Sequence, residues 1–403
     1  MRFIHTADWH LGIELHGHDR GPEHDVFLDW LAGLIRARGV DALIVAGDVY
    51  DSGNPPVAAQ ARLFRFLGEV LAGNPALSVV LVGGNHDSAA RLELPRALLE
   101  SGRCRIVGAM RREGQALAAA EALVMLPGEG GGAVCAAVPF LRPADLGPAG
   151  AEEDGTGRVA ALYAALARAA AAAAPGLPLI MTGHLHVAGG AVSEMSERRV
   201  LVGGQEAVPA SVFPAAASYV ALGHLHRPQG LAGGTIRYSG APLPLSAAER
   251  EYRHSVALVE IGADGRATTE LIETPRPVAM LRVPPAGVIG LDRLEAELAA
   301  LELPAGGIGP AFLEVAVRLE APEPGLRARV EAALAGRAVR LLRVERVSEG
   351  GDGSLPEAAA AGIVLGDLSP EEVFVRRHRE EFDAPPAEEM LAAFRALLAG
   401  LEP

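Results

Sequence analysis

From residue 1 to about residue 275 the chain alternates short apolar runs with polar clusters. The runs are Arg2 to Thr6, Ala42 to Ala46, Val79 to Val82, Leu179 to Thr182 and Tyr219 to Leu222. Runs of this length, rich in Val, Ile and Leu, predict buried strands, and helical patterns at Val26 to Arg36 and Gln60 to Leu71 lie between the early ones. The alternation predicts a layered α/β domain over residues 1–275. Each polar cluster falls just past a strand's carboxyl end, where loops from several strands converge on one crevice. A functional site is expected there.

After Thr274-Pro275-Arg276-Pro277 the texture changes. A strand is predicted at Met280 to Val283, then a helix with Leu291, Leu294, Leu298 and Leu301 on one face, then a strand in which Leu313, Val315, Val317 and Leu319 alternate. A second helix from Leu326 to Leu334, stopped by Gly336, and a strand from Val339 to Val347 complete a small α/β domain over residues 276–348. A Gly/Ser/Pro/Ala-rich linker spans 349–362. Within 363–403, Ser369-Pro370-Glu371-Glu372 predicts a capped helix start, and Met390, Leu391, Phe394, Leu397, Leu398 and Leu401 recur at helical spacing.

The chain has 403 residues and is 50% hydrophobic, enough to bury a sizeable core in two or three units. No signal peptide is read at Met1-Arg2-Phe3-Ile4-His5, and the alanine-rich stretch Val159 to Ala174 carries Arg168 and ends at Pro175-Gly176, so it predicts a soluble helix and no membrane partner. Cys104 and Cys135 form neither a CxxC pair nor a disulfide framework, and a cytoplasmic protein is expected. The formal net charge of -14 opposes nucleic-acid binding through the overall field. Bound divalent cations add local positive charge, and a partner subunit could supply further grip.

Five clusters carry hard nitrogen and oxygen ligands: Asp8-Trp9-His10, Gly47-Asp48, Gly84-Asn85-His86-Asp87, Gly183-His184 and Gly223-His224-Leu225-His226. Carboxylate, amide and imidazole without thiolate suit octahedral ions such as Mn²⁺ and also accept Mg²⁺, Fe or Zn. Asp-x-His or His-x-His on an extended segment points two side chains to one face. Glycine before the ligand lets the backbone approach an ion closely. In a chain with 12 His, a lone instance would ordinarily be a surface or core residue. Five clusters in one order, each after a predicted strand, point to a shared metal site.

The order Asp-x-His, Gly-Asp, Gly-Asn-His-Asp, Gly-His, Gly-His-x-His resembles the signature of calcineurin-like metallophosphoesterases. The stretches Thr6 to Gly12, Ala46 to Asp51 and Ala221 to Arg227, with Tyr238-Ser239-Gly240-Ala241-Pro242-Leu243-Pro244-Leu245-Ser246 and Leu368 to Phe374, are similar to the SbcD family, nuclease subunits of bacterial SbcCD complexes. The resemblance implies a layered α/β sandwich with a capping domain that positions DNA and C-terminal helices that dock on the SMC-type ATPase SbcC. It assigns Asp8, His10 and His226 to one metal ion, Asn85, His184 and His224 to another, and Asp48 as the bridge. His86 would protonate the leaving 3′ oxygen, with Asp87 orienting its ring. The implied activity is Mn²⁺-dependent endonucleolytic cleavage of single-stranded DNA and ATP-dependent degradation of double-stranded ends and hairpins in repair and recombination. ATP would be used by the partner only, and a homodimer within a heterotetramer is implied.

Several residues have bland readings. His186 follows His184 by two positions and is expected outside the ligand set, His5 is expected to pack and hydrogen-bond, and His16, His18 and His24 are expected on a solvated loop and helix start. Trp9 is expected to pack, and both cysteines to be buried and inert. The rival functions are a stand-alone phosphoesterase for nucleotides or phosphoproteins, which suits the acidic charge, and a catalytically dead scaffold.

Overall fold

The computed structural model describes residues 1–96, 103–114, 116–128, 131–147, 154–193, 202, 207–319, 323, 325–348 and scattered residues between 374 and 394. Its contacts divide the chain into two compact units, Met1–Met280 with Pro304–Ala311, and Leu281–Leu303 with Phe312–Pro403.

The first unit is built on two six-stranded sheets. In one, Arg2–Thr6 lies between the antiparallel strand Ser255–Ile261 and the parallel strand Ala42–Ala46, followed by Ser78–Val82 and Cys104–Val107 in parallel, with Ala267–Glu273 at the far edge. In the other, Ala133–Ala136, Leu179–His184, Ala217–Gly223 and Ile236–Tyr238 run parallel, flanked by the antiparallel strands Leu123–Leu126 and Gln229–Leu231. The central strands are apolar on both faces because each face is covered. Phe3, Ile44, Val80, Cys135, Ile180, Tyr219 and Val259 share one core between the sheets. Their neighbours Ile4, Leu43, Val45, Val79 and Leu81 turn the other way and pack with Phe27, Leu31, Leu63 and Leu67 of the helices Gly21–Arg38 and Val57–Gly73. On the outer face of the second sheet, Val159, Tyr163 and Leu166 of the helix Gly155–Ala173 meet Val134, Met181 and Val220. The result is four layers, helix, sheet, sheet, helix, the α/β sandwich expected from the strand pattern.

The first helix begins at Gly21-Pro22, where proline's missing N–H costs nothing, and stops at Gly39, whose φ of 56° is left-handed. The Gly155–Ala173 helix is capped by Asp154, whose carboxylate accepts from the Gly157 N–H at 2.7 Å.

The second unit's sheet contains Met280–Val283, Ile289–Gly290, Ala311–Leu319 and Val339–Ser348. Leu313, Val315, Val317 and Leu319, the predicted alternating set, pack on Leu294 and Leu298 of the helix Leu294–Ala300 and on Leu326 and Val330 of Leu326–Ala333. The linker 349–362 and the helix start at Ser369 lie outside the described residues. Among the described residues no helix is long and apolar enough to cross a membrane.

Cys104, Cys135 and Trp9 are buried as expected, Trp9 edge-on to Phe27 and Phe66. His24 is not on a solvated helix start: it is fully buried beneath the site loop, with Nε2 donating to the Trp9 carbonyl at 2.7 Å. Burial pushes its pKa down to about 4, so the ring is neutral.

Candidate metal centre

The five polar clusters occupy the carboxyl ends of strands from both sheets. The loop after Arg2–Thr6 runs beside the loop after Ala42–Ala46, through bonds from the Asp8 N–H to the Gly47 carbonyl and from the His10 N–H to the Asp48 carbonyl, both 3.0 Å. Asp8, His10, Asp48 and His224 all take positive φ, at 54°, 47°, 46° and 98°. Non-glycine residues adopt this region at a cost, and such residues concentrate at functional sites. Gly84 admits a closer approach still, since a Cβ there would lie 2.1 Å from Asp48 Oδ1.

The histidines are held by one device. His184 Nδ1 donates to the Ala46 carbonyl at 2.9 Å, His10 Nδ1 to Asp51 Oδ1 at 3.1 Å and His226 Nδ1 to Glu249 Oε1 at 2.8 Å. An oxygen acceptor at Nδ1 fixes the tautomer whose Nε2 is the ligand nitrogen, the arrangement in which metal-binding histidines are ordinarily held. The carboxylates are oriented too. Asp8 Oδ1 accepts from the His224 N–H and Asp48 Oδ1 from the His86 N–H, both at 2.9 Å. Asp48 Oδ2 then lies 3.3 Å from His184 Nε2 and 3.5 Å from His10 Nε2. Asn85 Oδ1 stands 3.0 Å from His184 Nε2.

Ligand atoms of Asp8, His10 and His226 lie within 4.8 Å of one another, as do those of Asp8, Asp48 and His184, and those of His10, Asp48 and His86. The His224 ring is 5.4 Å from that of His184. Two atoms of this cluster, Asp8 Oδ2 and His10 Nε2, are buried and have no hydrogen-bond partner among the described residues. Such orphans cost roughly 1–3 kcal/mol each in a finished core. A divalent cation would satisfy both, and the O and N donor set fits one.

Charges follow from the same contacts. Burial alone would raise the Asp48 carboxyl, but His184 beside it, by charge and hydrogen bond, holds it well below the ordinary carboxylate range. Against its own burial, His184 is lifted by Asp48 from 6.5 to about 9. Burial pushes Asp8 up and, aided by the charge on His184, pushes His224 well down.

The structure parts from the expected pairing of Asp87 with His86. The Asp87 carboxylate accepts from the backbone N–H groups of Gly84, Val49 and Tyr50 at 2.8, 3.1 and 2.9 Å, tying two site loops together. His86 is oriented by the Asp51 carbonyl instead, 2.7 Å from its Nδ1. Three converging N–H groups hold the Asp87 carboxylate at the junction of the two loops. Burial, with the charge of Asp48 nearby, pushes it up to about 6.

Sequence reasoning missed two supporting carboxylates. Asp51 belongs to a quoted motif but had no role, and Glu249 stands in no motif at all. Glu249 follows Ser246 by three positions, which reads as an ordinary helix-start pattern, and a short turn at Ala247–Glu249 is what forms. Nothing local points from it to His226. The motif Tyr238 to Ser246 also gains a physical role: the Ala241 N–H donates to the His226 carbonyl at 3.0 Å, and the Leu245 N–H to Glu249 Oε2 at 2.9 Å.

Residues 1–130 match the family model described as calcineurin-like phosphoesterase, and residues 276–382 the model described as type 5 capsule protein repressor C-terminal domain. An SbcD protein of Rhodobacter capsulatus, a component of the nuclease SbcCD, is 46% identical, over 85% of this chain and 86% of its own length. The SbcD proteins of Escherichia coli strain K12 and Bacillus subtilis strain 168 are 33% and 32% identical, over 99% and 69% of this chain and 98% and 71% of their own lengths. The chain therefore belongs to the SbcD family, with a calcineurin-like phosphoesterase domain at its N-terminus.

Proposed function

We propose that this chain is the nuclease subunit of an SbcCD-type assembly, a metal-dependent phosphodiesterase that cuts DNA. The observation that carries the reading is the set of three histidines from different segments, one at a strand end and two on loops, each with Nδ1 given to an oxygen and each grouped with the same buried carboxylates. Asp8, His10 and His226 would hold one divalent cation, and Asn85, His184 and His224 a second, with the Asp48 carboxylate serving both. Mn²⁺ is the proposed metal. When bound, such a pair supplies Lewis-acid activation of the phosphodiester and of the attacking water.

The chain's own residues supply position and a proton. Asp87 locks the loop that carries Asn85 and His86. His86, with Nδ1 donating to the Asp51 carbonyl, keeps Nε2 as the nitrogen that passes a proton to the leaving 3′ oxygen. Residues 276–348 would position DNA, and residues 363–403 would bind an SbcC-like ATPase that supplies the ATP dependence of duplex-end degradation. Single-stranded DNA would be cut endonucleolytically by this subunit.

The test is the purified chain with Mn²⁺ against single-stranded DNA, a cyclic nucleotide and a phosphopeptide. Cleavage of DNA that is lost in Asp48→Ala, with the circular dichroism spectrum retained, is expected. Turnover confined to the cyclic nucleotide or phosphopeptide would replace the reading with a stand-alone phosphoesterase. Near-normal DNA turnover by Asp48→Ala would sink the shared-carboxylate assignment.

A further inference from the structure

Next to the ligand candidate His226 in sequence stands Arg227, an exposed arginine. Its guanidinium lies 5.8 Å over the Tyr252 ring. Among the described residues no carboxylate pairs with it. Tyr252 is locked to the metal centre by a closed chain of bonds. Its N–H donates to the Glu249 carbonyl at 2.9 Å, and the Glu249 carboxylate accepts from His226. His254 Nε2 lies 3.2 Å from the same carbonyl, and its Nδ1 is 2.8 Å from the Ala241 carbonyl. The Ala241 N–H returns to the His226 carbonyl at 3.0 Å. The backbones of Arg227 and Tyr252 are therefore both tied to His226, one by the peptide bond and the other by this ring of contacts, and the guanidinium meets the ring between them.

A depression of about 310 Å³ opens beside Tyr252, lined by Arg250, Arg253 and Arg276 together with Glu251 and Glu273. Arg250 and Arg253 pair with Glu251 and Glu273, and Arg276 donates to the carbonyls of Arg250 and Tyr252 at 2.6 and 2.9 Å. With Arg227, four positive charges face two negative ones in a chain whose net charge is -14. The Arg227 guanidinium, exposed and held over the ring, carries a planar fork of N–H donors that matches two oxygens of a phosphate.

We infer that Arg227, laid on Tyr252, is a positioning residue that grips a second phosphate of the nucleic-acid substrate while the scissile one sits at the metal centre. The inference rests on the DNA-cleaving reading and adds to it a subsite for the neighbouring backbone. The site also explains how an acidic chain takes hold of a polyanion: through a local basic patch fixed to a metal ligand.

The test uses the full chain with Mn²⁺ and two substrates, single-stranded DNA and bis(4-nitrophenyl) phosphate, which has one phosphate only. In Arg227→Ala the KM for DNA should rise about tenfold, the size of one charge-assisted contact, with a much smaller change in kcat. The ratio of kcat/KM for DNA to that for bis(4-nitrophenyl) phosphate should fall by about the same factor. Arg227→Lys should retain part of the unmodified chain's ratio, Tyr252→Phe most of it and Tyr252→Leu less, because the aromatic face supports the guanidinium. Binding of an oligothymidylate to Arg227→Ala should show a slope against log salt smaller by about 0.7, one phosphate contact on a single strand. An unchanged ratio and slope in Arg227→Ala overturns this inference alone. Failure of the unmodified chain to cut or bind DNA overturns the nuclease reading and this subsite with it.

Discussion

Asp48 and His184 hold each other in their charged forms, and that pairing is the first thing an incoming cation must undo. His184 gives Nδ1–H to the Ala46 carbonyl, so the proton that its raised pKa of about 9 retains is the one on Nε2, the nitrogen facing Asp48. A cation takes that nitrogen only when the proton leaves. Because the metal-free pKa is raised, protons compete below about pH 9, and Mn²⁺ affinity should climb with pH by up to about tenfold per unit for the single proton released. Calorimetric titrations in buffers of different ionisation enthalpy measure both quantities. Affinity that stays flat from about pH 6 to 9, with no proton release, would contradict the coupling. His86 makes a different prediction. Its Nδ1 is anchored on the Asp51 carbonyl, and its ring lies 4.7 Å from that of His10. As the group that protonates the leaving oxygen, His86→Asn should lower turnover by about 100-fold or more with metal content unchanged. Loss of a bound metal in that variant, measured by elemental analysis, would make His86 a ligand instead.

At the scale of elements, the loop Tyr238 to Ser246 and the turn Ala247–Glu249 serve the site from behind. Glu249 is fully buried and splits its carboxylate between the His226 ring and the Leu245 N–H. A carboxylate behind a ligating imidazole typically accounts for 10–100-fold in metal affinity, so Glu249→Gln should weaken Mn²⁺ binding by about that factor. Calorimetry and thermal unfolding of the metal-free variant separate a lost ligand orientation from a lost fold, and unaltered affinity would remove Glu249 from the centre. This support was not legible in the sequence, whereas the strands were. Runs such as Ala42 to Ala46 are apolar throughout because both faces of the sheet are covered, and that leaves a local signal. The five polar clusters were legible for a similar reason, since each lies at or just past the end of its strand. Partners from distant segments, Glu249 for His226 or the backbone of Val49 for Asp87, meet only in the folded chain and leave no period to read. His24 failed likewise: its polar neighbours suggested solvent, but the helix packs its face under Trp9.

At the scale of the whole molecule, every proposed ligand precedes residue 227, and the last forty residues present a different kind of feature. Met390, Leu391, Phe394, Leu397, Leu398 and Leu401 recur at helical spacing, although most of this stretch lies outside the described residues. Among those described, the Phe374 and Phe394 rings stack with centroids 4.2 Å apart and planes 8° apart, so one member of the stripe already has a partner within the segment. The remaining apolar positions, tethered by the Gly/Ser/Pro/Ala-rich stretch 349–362, suit an amphipathic helix laid into a groove of another protein. Removing residues 363–403 should therefore abolish co-purification with an SbcC-like ATPase and ATP-stimulated degradation of duplex ends. Mn²⁺-dependent cleavage of single-stranded DNA by the shortened chain should persist, because the layered domain keeps its cores and its ligands. Thermal unfolding of the shortened chain guards the comparison. A cooperative transition near that of the full chain, with the ATPase still bound at full strength, would show that the docking surface lies elsewhere, and a chain that no longer folds would show that the stripe belongs to its own core.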